Sequence, residues 1–351
     1  MSIERFSISN DPSLYEAWPD VVLTGNGTLV CVFSECSHHV DRSYTRIVVK
    51  RSGDRGRTWS EKIAVTEGTS GLPYFYNCAR IVELSDGRLV ITVDRLKSLQ
   101  QEDDPSGSYV VLYYSADDGV TWSDAAVTPL LGIVPGRMLE LESGRLIISA
   151  HHKEDGRLAQ FLRYSDDGGV TWSGRITVAK SPELNLCEVS MVYCGDNTIV
   201  ALMRENSGLG YDCKKVISRD NGESWGPIID LPLPGCHRPS AGFLQDGRVM
   251  VTYRFLQGGR SGWGQVTQNF FAAVLERESL LAEERAYSWA RIMPVDYDRS
   301  PHADLGYSGW VQFPDGEIYI VQYIVDDAWD KGQIRGYAMR PEEFMLTEKT
   351  Q

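Results

Sequence analysis

Ionisable side chains recur at a nearly fixed count from six tight turns in this chain, and they are the residues with chemistry to offer. About nine residues before each turn stand Trp18, Cys78, Pro135, Cys187, Arg238 and Tyr307, with Glu16, Arg80, Arg137, Glu188 and His237 beside them. About seven or eight residues after the turns come Glu35, Asp94 and Arg95, His151 and His152, Arg204, Arg254 and Tyr323. Charged groups at the ends of apolar runs are costly unless they are paired or used. Arginines placed this way can clamp a carboxylate through two parallel hydrogen bonds. A neutral imidazole is a suitable base near pH 7. The competing reading is structural: arginine–carboxylate pairs that plug the middle of the fold. A metal held by His151, His152 and His237 is weighed and set aside, because neighbouring residues of a strand point to opposite sides. Neither a metal nor a cofactor is expected.

The elements that must carry these residues are legible as repeats. One motif, Ser-x-Asp-x-Gly-x-Ser/Thr-Trp, starts at Ser52, Ser115, Ser165 and Ser218. Its chemistry is that of a turn: the aspartate accepts backbone N–H bonds a few residues on, the glycine supplies a left-handed conformation, and the tryptophan is an apolar plate. A second signal, a tight turn between apolar runs, occurs at Gly25–Gly27, Asp86–Gly87, Ser143–Gly144, Gly195–Asn197, Asp246–Gly247 and Asp315–Gly316. Six such units spaced roughly 50 to 70 residues apart, each with two hairpins, predict an all-β, six-bladed β-propeller of four-stranded blades. Residues 4–9 have no turn partner and are expected to close the last blade with an N-terminal strand. Residues 1–351 are therefore read as a single domain. The stretch from Phe270 to Tyr287 is expected to carry a short helical turn in place of the tryptophan motif.

Composition limits the partners. The 351 residues hold 35 basic and 48 acidic side chains, a net charge of −13, which argues against nucleic acid or an anionic membrane surface as a ligand. A local cluster of arginines can still bind a small anion. Seven cysteines without a CxxC pair point to reduced thiols rather than a disulfide frame or a zinc–cysteine site. The first residues show no basic-then-apolar leader, so a cytoplasmic location is expected.

The four tryptophan motifs within a six-turn repeat resemble the Asp-box turns of the sialidase (neuraminidase) superfamily, whose members are six-bladed propellers. The resemblance covers nearly the whole chain. Its turns are specific for the architecture and not for an activity. It implies roles for four residues. Tyr307, in Gly306-Tyr307-Ser308, is the implied nucleophile. Glu188, in Leu186-Cys187-Glu188-Val189-Ser190, is its partner base. Arg204, in Ala201-Leu202-Met203-Arg204-Glu205, is an arginine facing the substrate carboxylate. Asp41, in His38-His39-Val40-Asp41-Arg42, is the acid/base. A neutral tyrosine is a sensible nucleophile beside an anomeric carbon that carries a carboxylate, because an anionic nucleophile would be repelled. One departure is plain. The family's opening Arg-Ile-Pro segment reads Tyr15-Glu16-Ala17-Trp18-Pro19 here, so Ala17 stands where the first clamp arginine belongs. Arg238, Arg254 and Arg260 are contenders for the third clamp position, and Arg80, Arg95 and Arg137 are alternatives from other blades.

The implied function is an exo-acting, sialidase-like glycoside hydrolase working on a small acidic or modified sugar. A second reading is a lyase on uronate-containing glycans that uses His151, His152 or His237 with Tyr307 as base and acid, and Arg204 against the uronate. A third is a carbohydrate-binding propeller without turnover, with Trp18, Trp263, Trp310 and Trp329 stacking on sugars.

Overall fold

The computed structural model describes residues 3–97, 107–256 and 268–343. The strands form six four-stranded antiparallel sheets. Blade 1 holds β2 (Tyr15–Leu23), β3 (Leu29–Cys36), β4 (Thr45–Ser52) and β5 (Ile63–Ala64), and blade 2 holds β6 (Tyr74–Glu83), β7 (Leu89–Lys97), β8 (Tyr109–Ser115) and β9 (Ala126–Leu131). Blade 3 holds β10 (Leu139–Glu140), β11 (Leu146–Glu154), β12 (Arg157–Ser165) and β13 (Ile176–Ala179), and blade 4 holds β14 (Leu186–Tyr193), β15 (Ile199–Glu205), β16 (Asp212–Ser218) and β17 (Ile229–Pro234). Blade 5 holds β18 (Cys236–Phe243), β19 (Val249–Leu256), β20 (Gln268–Leu275) and β21 (Arg291–Tyr297). In blade 6, β22 (Leu305–Gln312), β23 (Ile318–Ile324) and β24 (Gln333–Met339) are joined by β1 (Glu4–Ser9), which pairs antiparallel with β24. That pairing ties the two ends of the chain into one blade. A short helix, α1 (Arg277–Leu281), lies between β20 and β21, in the stretch expected to hold a helical turn.

Both faces of each blade are covered by its neighbours, so the middle strands are apolar on both sides rather than alternating. All of β3 is buried, and one core cluster joins Val30, Val32 and Ile47 of blade 1 to Ile81, Ile91 and Val111 of blade 2. The tryptophan motifs lie between the third and fourth strands of blades 1 to 4. In the first, Asp54 Oδ1 accepts from the backbone N–H of Thr58 at 2.9 Å, and Ser52 Oγ accepts from that of Gly56 at 2.8 Å. The same bonds recur around Asp117, Asp167 and Asp220. These aspartates hold turns and leave the chemistry to the axis.

The axis is shaped by a repeated irregularity. The innermost strand of each blade slips register by one residue against its partner, between Ala17 and Asp20, Tyr76 and Ala79, Cys187 and Ser190, His237 and Ser240, and Gly306 and Gly309. In blade 3 the same slip falls between the Ile133–His151 bridge and the Gly136–Ser149 hydrogen bond. The first residues of these bulges are Trp18, Asn77, Val134, Glu188, Arg238 and Tyr307. All but Asn77 have a positive φ, between 49° and 55°. Side chains are forced into the left-handed region only where the surroundings over-determine it, and bulges re-aim side chains at functional sites. Gly306 makes the last one possible. Its φ is +107°, and a Cβ there would sit 2.7 Å from Cβ of Arg254.

Candidate active site

Five of the six bulge residues line a cavity of 560 Å³ at the axis: Trp18, Asn77, Val134, Glu188 and Tyr307. The second strands contribute a further ring just after the slip. Registered opposite Ala17, Tyr76, Ile133, Cys187, His237 and Gly306 are Ser34, Arg95, His151, Arg204, Arg254 and Tyr323. Members of this ring hold the bulge of the next blade. Asp94, beside Arg95, accepts from the Cys78 and Val134 backbone N–H groups at 2.8 Å each. His151 Nδ1 accepts from the Glu188 N–H at 3.3 Å. Blade-to-blade hydrogen bonds such as these fix the strand residues of the pocket.

At its floor, Tyr307 Oη donates a short hydrogen bond to Glu188 Oε1, and Arg204 Nη1 donates to the same oxygen at 2.8 Å. Arg204 Nη2 donates to Asn206 Oδ1 at 2.6 Å. Exposure is 3% for Tyr307, 5% for Glu188 and 2% for Arg204. Burial opposes ionisation of Glu188, but Arg204, Arg254 and the Tyr307 hydroxyl outweigh it and hold the carboxyl at about 2. Burial, reinforced by the Glu188 charge, pushes the Tyr307 phenol well above its ordinary value. At neutral pH the pair is therefore carboxylate and phenol. Glu188 Oε2 is buried without a hydrogen-bond partner, so one carboxylate oxygen remains for a ligand. His151, in the same wall, is driven down to about 4 by burial and is neutral.

A second buried carboxylate stands beside this floor. Asp304 accepts from Tyr15 Oη at 2.5 Å, from Tyr323 Oη at 2.7 Å and, in a short bond, pairs with His39 Nδ1. Arg254 Nη1 lies 3.7 Å from it. His39 lines the main cavity and also a smaller one of 260 Å³ with Tyr15, His38 and His302. Burial lowers the His39 pKa, although Asp304 pulls it up. The remaining lining is largely apolar, from Val40, Phe75, Leu96, Ile133, Val134 and Leu158.

Tyr307, Glu188, Arg204, His151 and Trp18 thus meet in one pocket. Other residues expected there do not face it. The Asp41 carboxylate is exposed, accepts from the Ser43 N–H at 2.9 Å, and lies outside the lining, while His39, Val40 and Arg42 of the same loop face inward. Arg137 Nε donates to buried Asp20 at 2.8 Å, and Arg80 Nη1 donates to the Pro19 and Ser308 carbonyls at 2.9 and 3.1 Å. These two plug the tunnel, as the structural reading holds for them. Arg238 is buried at the floor, donates to the Pro135 carbonyl at 2.7 Å and lies 5.7 Å from the Tyr307 ring centre. Arg254 is buried 5.6 Å from the same ring; both support the floor from behind. The Arg95 guanidinium sits over Tyr74 at 5.1 Å. His152 stacks on Phe161 at 4.5 Å, on the far side of its strand from His151. His237 is buried against Arg254 at 3.5 Å. Trp310 donates to the Ser240 carbonyl at 3.1 Å as blade packing, and Trp329 is exposed. Arg260 and Trp263 lie outside the described residues. Among the described residues, no three His, Cys, Asp or Glu side chains converge as metal ligands do.

The count from the turns placed Cys78, Pro135 and Cys187 at the points where Asn77, Val134 and Glu188 stand, since it carried no allowance for a bulge. Arg42 and Asp304 were missed because they sit on loops without periodicity, and His39, at this face by the same count, was given no role. The only signal was three titratable side chains within five residues, His38, His39 and Arg42, beside the chosen Asp41.

A six-bladed ring with a tyrosine–glutamate–arginine floor defines a class of propeller, and sequence comparison agrees with it. The BNR repeat-like domain matches residues 77–320, so the chain belongs to that family, within the sialidase superfamily. It is 27% identical over 246 residues to a sialidase of Micromonospora viridifaciens, covering 62% of this chain and 37% of that protein. It is 24% identical over 273 residues to an anhydrosialidase of Macrobdella decora, covering 69% of this chain and 33% of that protein. The chain therefore spans about a third of the length of the curated relatives it matches. Among solved structures, a Dyadobacter fermentans protein of unknown function superposes with a TM-score of 0.78 at 20% identity, over 95% of this chain and 97% of that one. A Trypanosoma rangeli sialidase in complex with sialic acid gives 0.70 at 16% identity, over 98% of this chain and 59% of that one. These likenesses concern the fold.

Proposed function

We propose that this chain is a retaining glycoside hydrolase of sialidase type, acting on a small acidic sugar. The observation that carries the proposal is the Tyr307–Glu188–Arg204 floor, in which a neutral phenol is hydrogen-bonded to an ionised, arginine-held carboxylate inside a pocket of ligand size. Glu188 accepts the phenolic proton as Tyr307 Oη attacks the anomeric carbon, and the glycosidic C–O bond breaks. A glycosyl–tyrosine intermediate results, and water then hydrolyses it with Glu188 returning the proton to Tyr307. Two displacements at one carbon give net retention.

The leaving oxygen needs a proton and the incoming water must lose one. His39 faces the pocket from the 38–42 loop beside Arg42 and is oriented by Asp304; of the two only the imidazole can exchange a proton in the ordinary pH range, and we assign it that task in place of Asp41. Protonated, it donates to the leaving oxygen; neutral, it accepts from water. The apolar lining supports a substituent or aglycone without charge.

The test is a panel of 4-methylumbelliferyl glycosides of N-acetylneuraminate, glucuronate and galacturonate, with products followed by NMR and ultraviolet absorbance. Turnover of one of them with retention, lost in Tyr307→Phe with folding intact, is expected. A Tyr307→Phe variant at full activity would sink the proposal. An unsaturated product absorbing in the ultraviolet would replace hydrolysis with elimination.

A further inference from the structure

Among the described residues, the arginines in and behind this pocket are matched to carboxylates, with two exceptions. Arg204 faces Glu188, Arg254 lies near Asp304, and Arg80 and Arg137 lie against Asp20. Arg238, the first exception, is buried behind Tyr307 and is not part of the lining. The second is Arg42, which does line the cavity. Its Nε donates to the His39 carbonyl at 2.9 Å, and its guanidinium carbon sits over the Trp18 ring, 3.9 Å from the ring centre. Nη1 is buried with no hydrogen-bond partner, and no carboxylate is paired with Arg42 among the described residues. The platform beneath it is fixed. Trp18 is 1% exposed, is held in the left-handed conformation by its bulge, and packs edge-on against His39 at 5.1 Å. An arginine stacked on an indole and tethered at Nε keeps its terminal fork in one plane, which is the arrangement for two parallel bonds to a carboxylate.

We propose that Arg42, seated on Trp18, is the anion-recognition residue of the pocket and binds the carboxylate of the sugar whose anomeric carbon faces Tyr307. Blade 1 then supplies its cation from the β3–β4 loop and not from the strand, where buried Ala17 has none to give. The inference rests on the acidic-sugar reading above and names the group that selects for it. Because Arg204 is committed to Glu188, the carboxylate is read by Arg42 while Tyr307 meets the anomeric carbon.

The experiment measures equilibrium binding by calorimetry for N-acetylneuraminic, glucuronic and galacturonic acids and for the methyl ester of each. The proteins are wild type, Arg42→Ala, Arg42→Lys and Trp18→Phe, each checked by circular dichroism. Wild type is expected to bind at least one free acid and to bind its ester roughly 10- to 100-fold more weakly, the range of a lost charge-assisted contact. Arg42→Ala should weaken the acid by a similar factor and leave the ester unchanged, and Arg42→Lys should fall between, because an ammonium cannot make the fork. Acid binding that survives Arg42→Ala overturns the role of Arg42 while leaving the acidic-sugar reading in place. Failure of wild type to bind any of the acids overturns both.

Discussion

Replacing Glu188 by Gln keeps the shape of the floor and removes its negative charge, which makes it the sharpest perturbation of this site. The magnitude follows from the carboxyl's displacement. Its folded pKa is about 2, against roughly 4.5 when unfolded. At about 1.4 kcal/mol per pH unit, ionised Glu188 contributes roughly 3 kcal/mol at pH 7. The sign is that of a depressed carboxyl: the contribution is complete above the unfolded value and is lost as pH falls through the folded one. Gln mimics the protonated form, so Glu188→Gln should be destabilised by roughly 3 kcal/mol at pH 7 and by roughly half of that at pH 3. Breaking one side of a buried ion pair costs a similar amount by direct mutation. Urea denaturation of both proteins at the two pH values reads the difference directly. A gap below about 1 kcal/mol at pH 7, or one that does not shrink on acidification, would mean that Arg204 and Glu188 are not the buried pair described. The same variant should lose at least ~100-fold in turnover through the missing base.

Three further outcomes follow. His39→Gln should remove the alkaline limb of kcat/KM, which lies below pH 6.5 because burial lowers the imidazole, whereas Asp41→Asn should leave that limb in place; an unchanged limb in His39→Gln would refute its role. Arg137→Gln removes the two-bond partner of Asp20, leaving it the Val21 and Ile81 N–H groups and Arg80 at 3.9 Å, and should cost roughly 1.5 to 3 kcal/mol in urea denaturation without changing KM, since the plug holds the blades and not the sugar; a raised KM at wild-type stability would place Arg137 in the site. His151 is held neutral with a folded pKa near 4, so its contribution is complete above about 6.5 and disappears as pH falls towards 4. The thermal midpoint of His151→Gln should therefore fall less than that of wild type across this window, and parallel curves would count against a buried neutral imidazole.

The fold was legible because its information is periodic. Four Asp-turn-Trp motifs and six hairpin turns repeat in register with the blades, and packing on both faces of each blade leaves long apolar runs between them. The second ring of the site was legible for the same reason: Arg204, Arg254, His151 and Tyr323 fall at one count from their turns. The first ring was blurred by one residue in blades 2 to 4, because a bulge adds a residue that no hydrophobic pattern records. Arg80 and Arg137 look like substrate ligands in a sequence, since only three-dimensional pairing with Asp20 shows that they are neutralised below the pocket. The loop residues were hidden for another reason. In His38–Arg42 four of the five side chains are ionisable, and nothing in the order of residues says that His39 and Arg42 turn inward while Asp41 turns out.

The central claim is that Tyr307 forms a bond to the sugar. The direct measurement is to incubate the protein with fluorinated glycosyl fluorides of the acidic sugars in the panel, chosen to slow hydrolysis of the intermediate, and to locate the added mass by peptide mapping. The account requires one glycosyl group on the peptide that contains Tyr307, absent from Tyr307→Phe. Label on an aspartate or glutamate, or steady turnover with no label on Tyr307, would contradict it.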